Sequence, residues 1–244
     1  DYLGKVGSIM AVVTVSKTIG TTGTFSTLQL WEDGASANLT TSNNWTAASF
    51  AGTFTQGEVV TGTGITGGKL LDTDGSTYIT FGTTTTPAAG ITITGSTSGA
   101  TCVISGAANV GVIWQGQCQN QTFSGASTLL TFSGSTSSST AYKHLTTVAG
   151  ASFRDNANVQ TNALRYNTAN GVAITQSGIN NETITTSEGA VRLSGLQIAA
   201  TGTGGRAFTD TAGGVGTYDF NIFEGTYVST SATLGVISQT NTKT

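Results

Sequence analysis

The chain has 244 residues, enough to bury a sizeable core in one domain or two. Only 9% of them are charged, where about a quarter is usual. Gly alone takes 34 positions, and with Thr, Ser and Asn it makes a composition of strands and tight turns. A net charge of −3, with no basic stripe and no apolar run of about 18 residues, speaks against nucleic acid and membrane as partners.

Met10 before the β-branched run 11–15 looks like a natural start, which makes Asp1–Ile9 an upstream extension or a cloning remnant. The run 11–15 reads as a first strand. A Gly/Thr turn at 19–23 then leads into the one convincing helix, expected over 26–33. Ser26 and Gln29 have the spacing of a capping box, and Phe25 and Leu30 that of a hydrophobic staple. Leu28 and Trp31 mark an apolar face. Glu32 and Asp33 oppose the dipole at the C-terminal end, so the helix should be short, and Gly34 offers a left-handed stop. A lone amphipathic helix amid β-sequence suggests a lid on the end of a β-structure. Residues 35–50 read as a polar connector anchored by Trp45 and Phe50.

Residues 51–106 carry a weak internal repeat. The rhythm of 57–63 recurs 33 positions later at 90–96, and Leu70-Leu71 then pairs with Val103-Ile104. The stretch 76–81 alternates like a strand between the copies. Two hairpin-like units around a strand suggest a small inserted β-barrel or sandwich. From 110 onward, short apolar runs at 110–114, 129–132, 163–166, 171–174, 183–185, 191–198, 218–222 and 234–237 alternate with Gly/Ser/Asn/Thr turns. No helical periodicity interrupts them, which argues against βαβ units and for a parallel β-helix. The expected fold is therefore all-β in three parts. Residues 1–50 form an N-terminal strand, capping helix and connector, 51–106 an inserted β-module, and 107–244 a parallel β-helix.

Residues 20–33, 123–198, and within them 154–156, 171–174 and 191–198, resemble the pectin-lyase-like right-handed parallel β-helix proteins of phage and prophage origin. The Gly-rich segments 57–63 and 95–101 are similar to small β-modules of phage virion proteins. The resemblance leaves out 51–106 and specifies no chemistry. It implies a short helix capping the solenoid and a virion-associated role.

Candidate sites meet bland rivals. Residues 62–67 match the Gly-x-Gly-x-x-Gly fingerprint, but a strand and turn follow where the dinucleotide mechanism needs a helix. Asp72-Thr73-Asp74-Gly75 hints at a calcium loop, yet lacks the later ligands and reads as a turn. His144 is the single histidine, with no cysteine or carboxylate pair near it in sequence, so zinc and a Ser–His–Asp triad are not expected. Cys102 and Cys118 read as free, partly buried thiols, with one bridge between neighbouring strands as the rival. Four Asn-x-Thr patterns, at Asn38, Asn44, Asn120 and Asn181, are expected by chance in so Asn- and Thr-rich a chain.

Polysaccharide cleavage is the serious enzymatic rival, because hydrolases need facing carboxylates and lyases need a base with acidic metal ligands. The solenoid carboxylates are Asp155, Glu182, Glu188, Asp210, Asp219 and Glu224, with Arg154–Asp155 the tightest charged cluster. Tyr142, Tyr166, Tyr218 and Tyr227 can stack on sugars or simply pack. No catalytic, cofactor-binding or metal residue is assigned, and no cofactor is expected. The leading expectation is a non-enzymatic phage virion protein that decorates or cements the capsid at the particle surface. Its expected partners are the major capsid protein or other virion proteins, and further copies of itself as a homo-oligomer. The alternative is a tail fibre or tailspike that binds, or cleaves, a host glycan. An extracellular adhesin comes third.

Overall fold

Two kinds of sheet follow from the two textures of the sequence: a closed antiparallel ring from the Gly-punctuated repeat, and stacked parallel ladders from the later apolar runs. A computed structural model describes residues 12–83, 87–106, 109–155, 165–212, 215–225 and 237–239. The chain divides into two compact units, one holding Thr40–Val112 and the other Thr14–Leu39 with residues from Ile113 onward.

In the first unit lie β2 (Ser42–Ala51), β3 (Val59–Gly62), β4 (Ile65–Thr73), β5 (Tyr78–Gly82), β6 (Thr92–Gly95), β7 (Thr101–Ile104) and β8 (Asn109–Val110). Their hydrogen-bonded order is β5-β4-β3-β6-β7-β2-β8, and β5 also pairs with β2, so six strands close into a barrel. The 33-residue repeat maps onto the hairpins β3–β4 and β6–β7, which join where β3 pairs antiparallel with β6. Trp45, Val60, Leu70, Ile79, Phe81 and Ile93 fill the barrel, with Trp45 stacked 6.0 Å from Phe81.

The connector expected over 35–50 is corrected here. Residues 42–51 are β2, which pairs with β5 through its first half and with β7 through its second. The boundary expected at 51 therefore falls at the end of a barrel strand. The polar run Ser42-Asn43-Asn44 hid it, because the barrel buries only part of each strand.

The second unit contains β1 (Val13–Ile19), the helix α1 (Leu28–Asp33), β9 (Val112–Cys118), β10 (Thr122–Gly125), β11 (Leu130–Phe132), β12 (Lys143–Thr147), β13 (Ala173–Gln176), β14 (Glu182–Thr186), β15 (Ala190–Ser194), β16 (Gln197–Ala200), β17 (Arg206–Asp210), β18 (Val215–Asp219), β19 (Ile222–Gly225) and β20 (Ile237–Gln239). From β9 on, successive strands join three sheets in rotation: β1-β9-β12-β15-β18, β10-β13-β16-β19 and β11-β14-β17-β20. Every pairing from β9 on is parallel. Ala173 aligns with Gln197 and Gln197 with Ile222, so these circuits take 24 (197 − 173) and 25 (222 − 197) residues. Alternation along each strand puts one set of side chains inside, giving ladders such as Phe123–Ile174–Ile198 and Leu130–Ile184–Phe208. Of the apolar run expected at 163–166, residues 163 and 164 lie outside the described residues, as do Asp1–Ile9, while Arg165 and Tyr166 are not in a strand.

The helix forms where expected but is capped differently. Thr27, at φ −131° and ψ 159°, is the N-cap, and its hydroxyl accepts the Leu30 N–H at 3.1 Å. Gln29 does not reach back to Ser26. Its side chain accepts the Thr131 N–H at 2.9 Å and donates to Glu32 and Asp33. Leu28, Trp31 and Glu32 share the buried face, which leaves Leu30 off it and 51% exposed, so no staple forms. Gly34 is right-handed, at φ −57°, and its missing side chain serves proximity instead: a Cβ there would lie 3.0 Å from the Phe25 ring. Trp31 is fully buried, edge-on to Phe132 at 6.0 Å, and its carbonyl accepts the Trp114 indole N–H at 3.0 Å.

Candidate functional site

Two arrangements in the second unit bring chemistry-bearing side chains together. The first lies on the outward face of the sheet β9-β12-β15-β18. Parallel register aligns Gln115, His144 and Arg192 across three coils. Gln115 Nε2 lies 3.2 Å from His144 Nδ1, and His144 Nε2 lies 2.7 Å from Ser194 Oγ. The Ser194 hydroxyl donates to Thr146 at 3.0 Å, and Arg192 pairs with Asp219 at 2.7 Å. Burial, with Arg192 close by, lowers the His144 pKa to about 4 against the opposing pull of Asp219, so the ring is neutral near pH 7.

Beside this ladder runs a groove of about 630 Å³, with Arg192, Ser194, Asp219, Arg154, Asp155 and Phe220 on its walls. Arg154 stands 4.0 Å above the Phe220 ring, and Phe220 is 66% exposed at φ +52°, a conformation bulky side chains rarely adopt. Asp155 accepts the Ser152 N–H at 3.0 Å, closing its own turn.

The second arrangement is buried. Lys143 takes an inward position, in register with Trp114 and Val191, and is 0% exposed. Glu32 and Glu188, 1% and 4% exposed, meet it there. Lys143 Nζ donates to Glu32 Oε1, to Glu188 Oε1 at 2.8 Å and to the Ser133 carbonyl at 3.2 Å. Glu32 Oε1 also accepts the Ser133 N–H at 2.9 Å, while its Oε2 accepts Gln29 Nε2 at 3.0 Å. Glu188 Oε1 accepts the Ser135 N–H at 3.1 Å, and its Oε2 has no hydrogen-bond partner. Burial raises the Glu188 pKa, and the Lys143 ammonium only partly offsets this.

The residues singled out in the sequence land elsewhere. Gly62 ends β3, Gly64 turns the β3–β4 hairpin at φ +77°, and β4 follows with no helix N-terminus. Asp74 accepts the backbone N–H groups of Ser76, Thr77 and Tyr78 at 2.9, 2.7 and 3.1 Å, and Asp72 accepts the Tyr78 hydroxyl at 2.7 Å. Those carboxylates shape a turn. Cys102 is a buried free thiol of the barrel and Cys118 a buried free thiol of the coils. Burial pushes Cys102 up to about 11 and Cys118 higher still.

Glu182 pairs with Arg206 at 2.6 Å. Asp210 accepts the Tyr218 hydroxyl at 2.7 Å, while the Tyr218 ring packs 4.8 Å from Phe208. Asp219 and Glu224 belong to strands of different sheets and do not converge. Tyr142 lies 6.5 Å from His144, Tyr166 is half-buried, and Tyr227 lies outside the described residues. Among the described residues no group of three or more His, Cys, Asp or Glu is placed to hold a metal ion, and no helix is long and apolar enough to cross a membrane.

The tightest charged cluster is thus Glu32–Lys143–Glu188, not Arg154–Asp155. Sequence reasoning misses it because its members are 111 and 45 positions apart. The one signal in the sequence is Glu32 on the buried side of the helix, one position past Trp31. Comparison with protein-family models, curated proteins and solved structures gives no match.

Proposed function

We propose that the chain is a non-enzymatic structural protein of a phage particle, a decoration or cement protein on the virion surface. Its partner is the major capsid protein or another virion protein, and it self-associates as a homo-oligomer. On this reading the stacked coils are a right-handed, pectin-lyase-like parallel β-helix, the hand that parallel crossovers take in the great majority of folds. The observation that carries the reading is the outward ladder. His144 is held by Gln115 and Ser194, Ser194 by Thr146, and Arg192 by Asp219, so the polar side chains of this face are tied to neighbouring side chains. Repeated coils of this kind make a stiff surface suited to shape-matched contact.

The test mixes purified protein with undecorated particles and, separately, with host surface polysaccharide. The expected outcome is particle binding that changes little with salt, because few exposed charges are there to screen. Polysaccharide depolymerisation by this chain alone overturns the proposal.

The groove favours a second reading, a tail fibre or tailspike that binds a host glycan. Phe220 offers a ring face, and the Arg192–Asp219 pair offers donors and acceptors to sugar hydroxyls. Phe220→Ala distinguishes the two readings: it abolishes polysaccharide binding on the second and leaves particle binding intact on the first.

A further inference from the structure

A fully buried ammonium between two buried carboxylates is a costly way to fill a core. Each ion has to be stripped of its water to sit there, and mutual attraction repays that only when every polar atom finds a partner. Here one ammonium faces two carboxylates, and one carboxylate oxygen, Glu188 Oε2, is left without a partner. The three groups also differ in how they are held, and the difference assigns them separate chemical parts.

We propose that Glu32 and Lys143 are a self-modification site: Lys143 Nζ condenses with the Glu32 carboxyl to form an intramolecular amide cross-link, with Glu188 carrying the proton. Glu32 is the electrophile because a donor sits on each of its oxygens, the Ser133 N–H on Oε1 and Gln29 Nε2 on Oε2. Donors placed in this way stabilise the negative charge that builds on a carboxyl oxygen when a nucleophile adds to its carbon. Glu188 is the carrier because its Oε1 lies 2.8 Å from Nζ while its Oε2 makes no hydrogen bond. Its raised pKa suits a group that takes up a proton and gives it back.

The step balances within the protein. Glu188 takes one proton from the Lys143 ammonium. The freed nitrogen lone pair attacks Glu32 Cδ, a C–N bond forms, and the carbonyl π pair moves onto oxygen against the Ser133 N–H. Glu188 then returns its proton to one carboxyl oxygen, which takes a second proton from the nitrogen. The C–O bond breaks and that oxygen leaves as water. An ammonium and a carboxylate have become a secondary amide and one water, and Glu188 ends as it began. No oxidant, reductant or activating group is needed.

Two effects drive a condensation that water disfavours for free acid and amine. Fixed reactants gain an effective concentration of about 10⁵–10⁸ M. The product also removes two buried charges from an interior in which Trp31 adjoins Glu32 and Phe132 adjoins Ser133, edge to face. The bond ties α1 covalently to β12 across 111 positions of chain.

The test is the intact mass of the full chain under denaturing conditions, followed by peptide mapping. Wild type is expected to be lighter than its sequence by one water. Trypsin should fail to cut after Lys143, and a branched peptide should join the Glu32 and Lys143 segments. Lys143→Arg and Glu188→Gln are expected at full mass with separate peptides. Wild type at full sequence mass overturns the proposal, whether or not the variants fold. A water loss that maps to another pair of residues also overturns it. A cross-linked Glu188→Gln protein removes Glu188 from the role given to it.

Discussion

Trp31 is the residue through which α1 closes over the coils, and its removal can be worked through in numbers. The ring is fully buried, edge-on to Phe132, and close above the backbone of Gly116. Trp31→Ala leaves a cavity and should cost about 3–5 kcal/mol. The same site can be perturbed from below. A Cβ on Gly116 would stand 2.5 Å from Trp31 Cε2 and 2.7 Å from Ile19 Cδ1, so Gly116→Ala overpacks it and should cost about 1–3 kcal/mol. In the double variant the new methyl enters the space the indole has left, and the two costs should no longer add. The combined loss should fall below the sum by about 1 kcal/mol or more, within the coupling known for residues in contact. Urea denaturation of the four proteins, followed by far-ultraviolet circular dichroism, measures this cycle. Strict additivity would refute the placement of the ring over Gly116, and a Trp31→Ala protein with wild-type stability would refute the helix as a lid.

Two further outcomes follow from local geometry. Thr27→Ala should lower stability by about 1 kcal/mol while Ser26→Ala changes it little, because the Thr27 hydroxyl holds the Leu30 N–H; thermal melts of the two variants check the order, and a larger loss for Ser26→Ala would return the cap to Ser26. His144 has a folded pKa near 4 against about 6.5 unfolded, so between those values the unfolded chain binds more protons and stability falls as pH falls. His144→Gln should flatten that part of the melting-temperature profile between pH 7 and pH 4, and parallel profiles for the two proteins would contradict the neutral, half-buried ring.

What can be read from the sequence is whatever depends on near neighbours. Leu28 and Trp31 announce the helix face, and the Gly-bounded repeat announces two hairpins. Short apolar runs announce most of the coil strands. What escapes depends on partners far along the chain. β12 begins Lys143-His144 and β17 begins with Arg206 and ends with Asp210, so neither reads as a buried strand until parallel neighbours supply its ladder. Trp45 reads as an anchor, but β2 does not read as a strand, because its polar first half owes its structure to β5 and β8. The capping box at Ser26 is a sound local pattern that loses to a tertiary one, since Gln29 is drawn to Thr131. The buried cluster is nearly illegible for the same reason: Lys143 and Glu188 look like ordinary solvated charges until the coils stack, and only Glu32, on the helix face of Leu28, hints at burial.

That Gln29 contact has a consequence for self-association. β11 is the outermost strand of its sheet, and an outermost strand is a template on which another chain can add. The Gln29 carboxamide accepts the Thr131 N–H at 2.9 Å and approaches the Thr131 carbonyl at 3.4 Å, imitating the peptide group that an added strand would bring. Glu32 does the same further along the chain, where it accepts the Ser133 N–H, so two side chains of α1 hold backbone groups that a foreign strand would otherwise take.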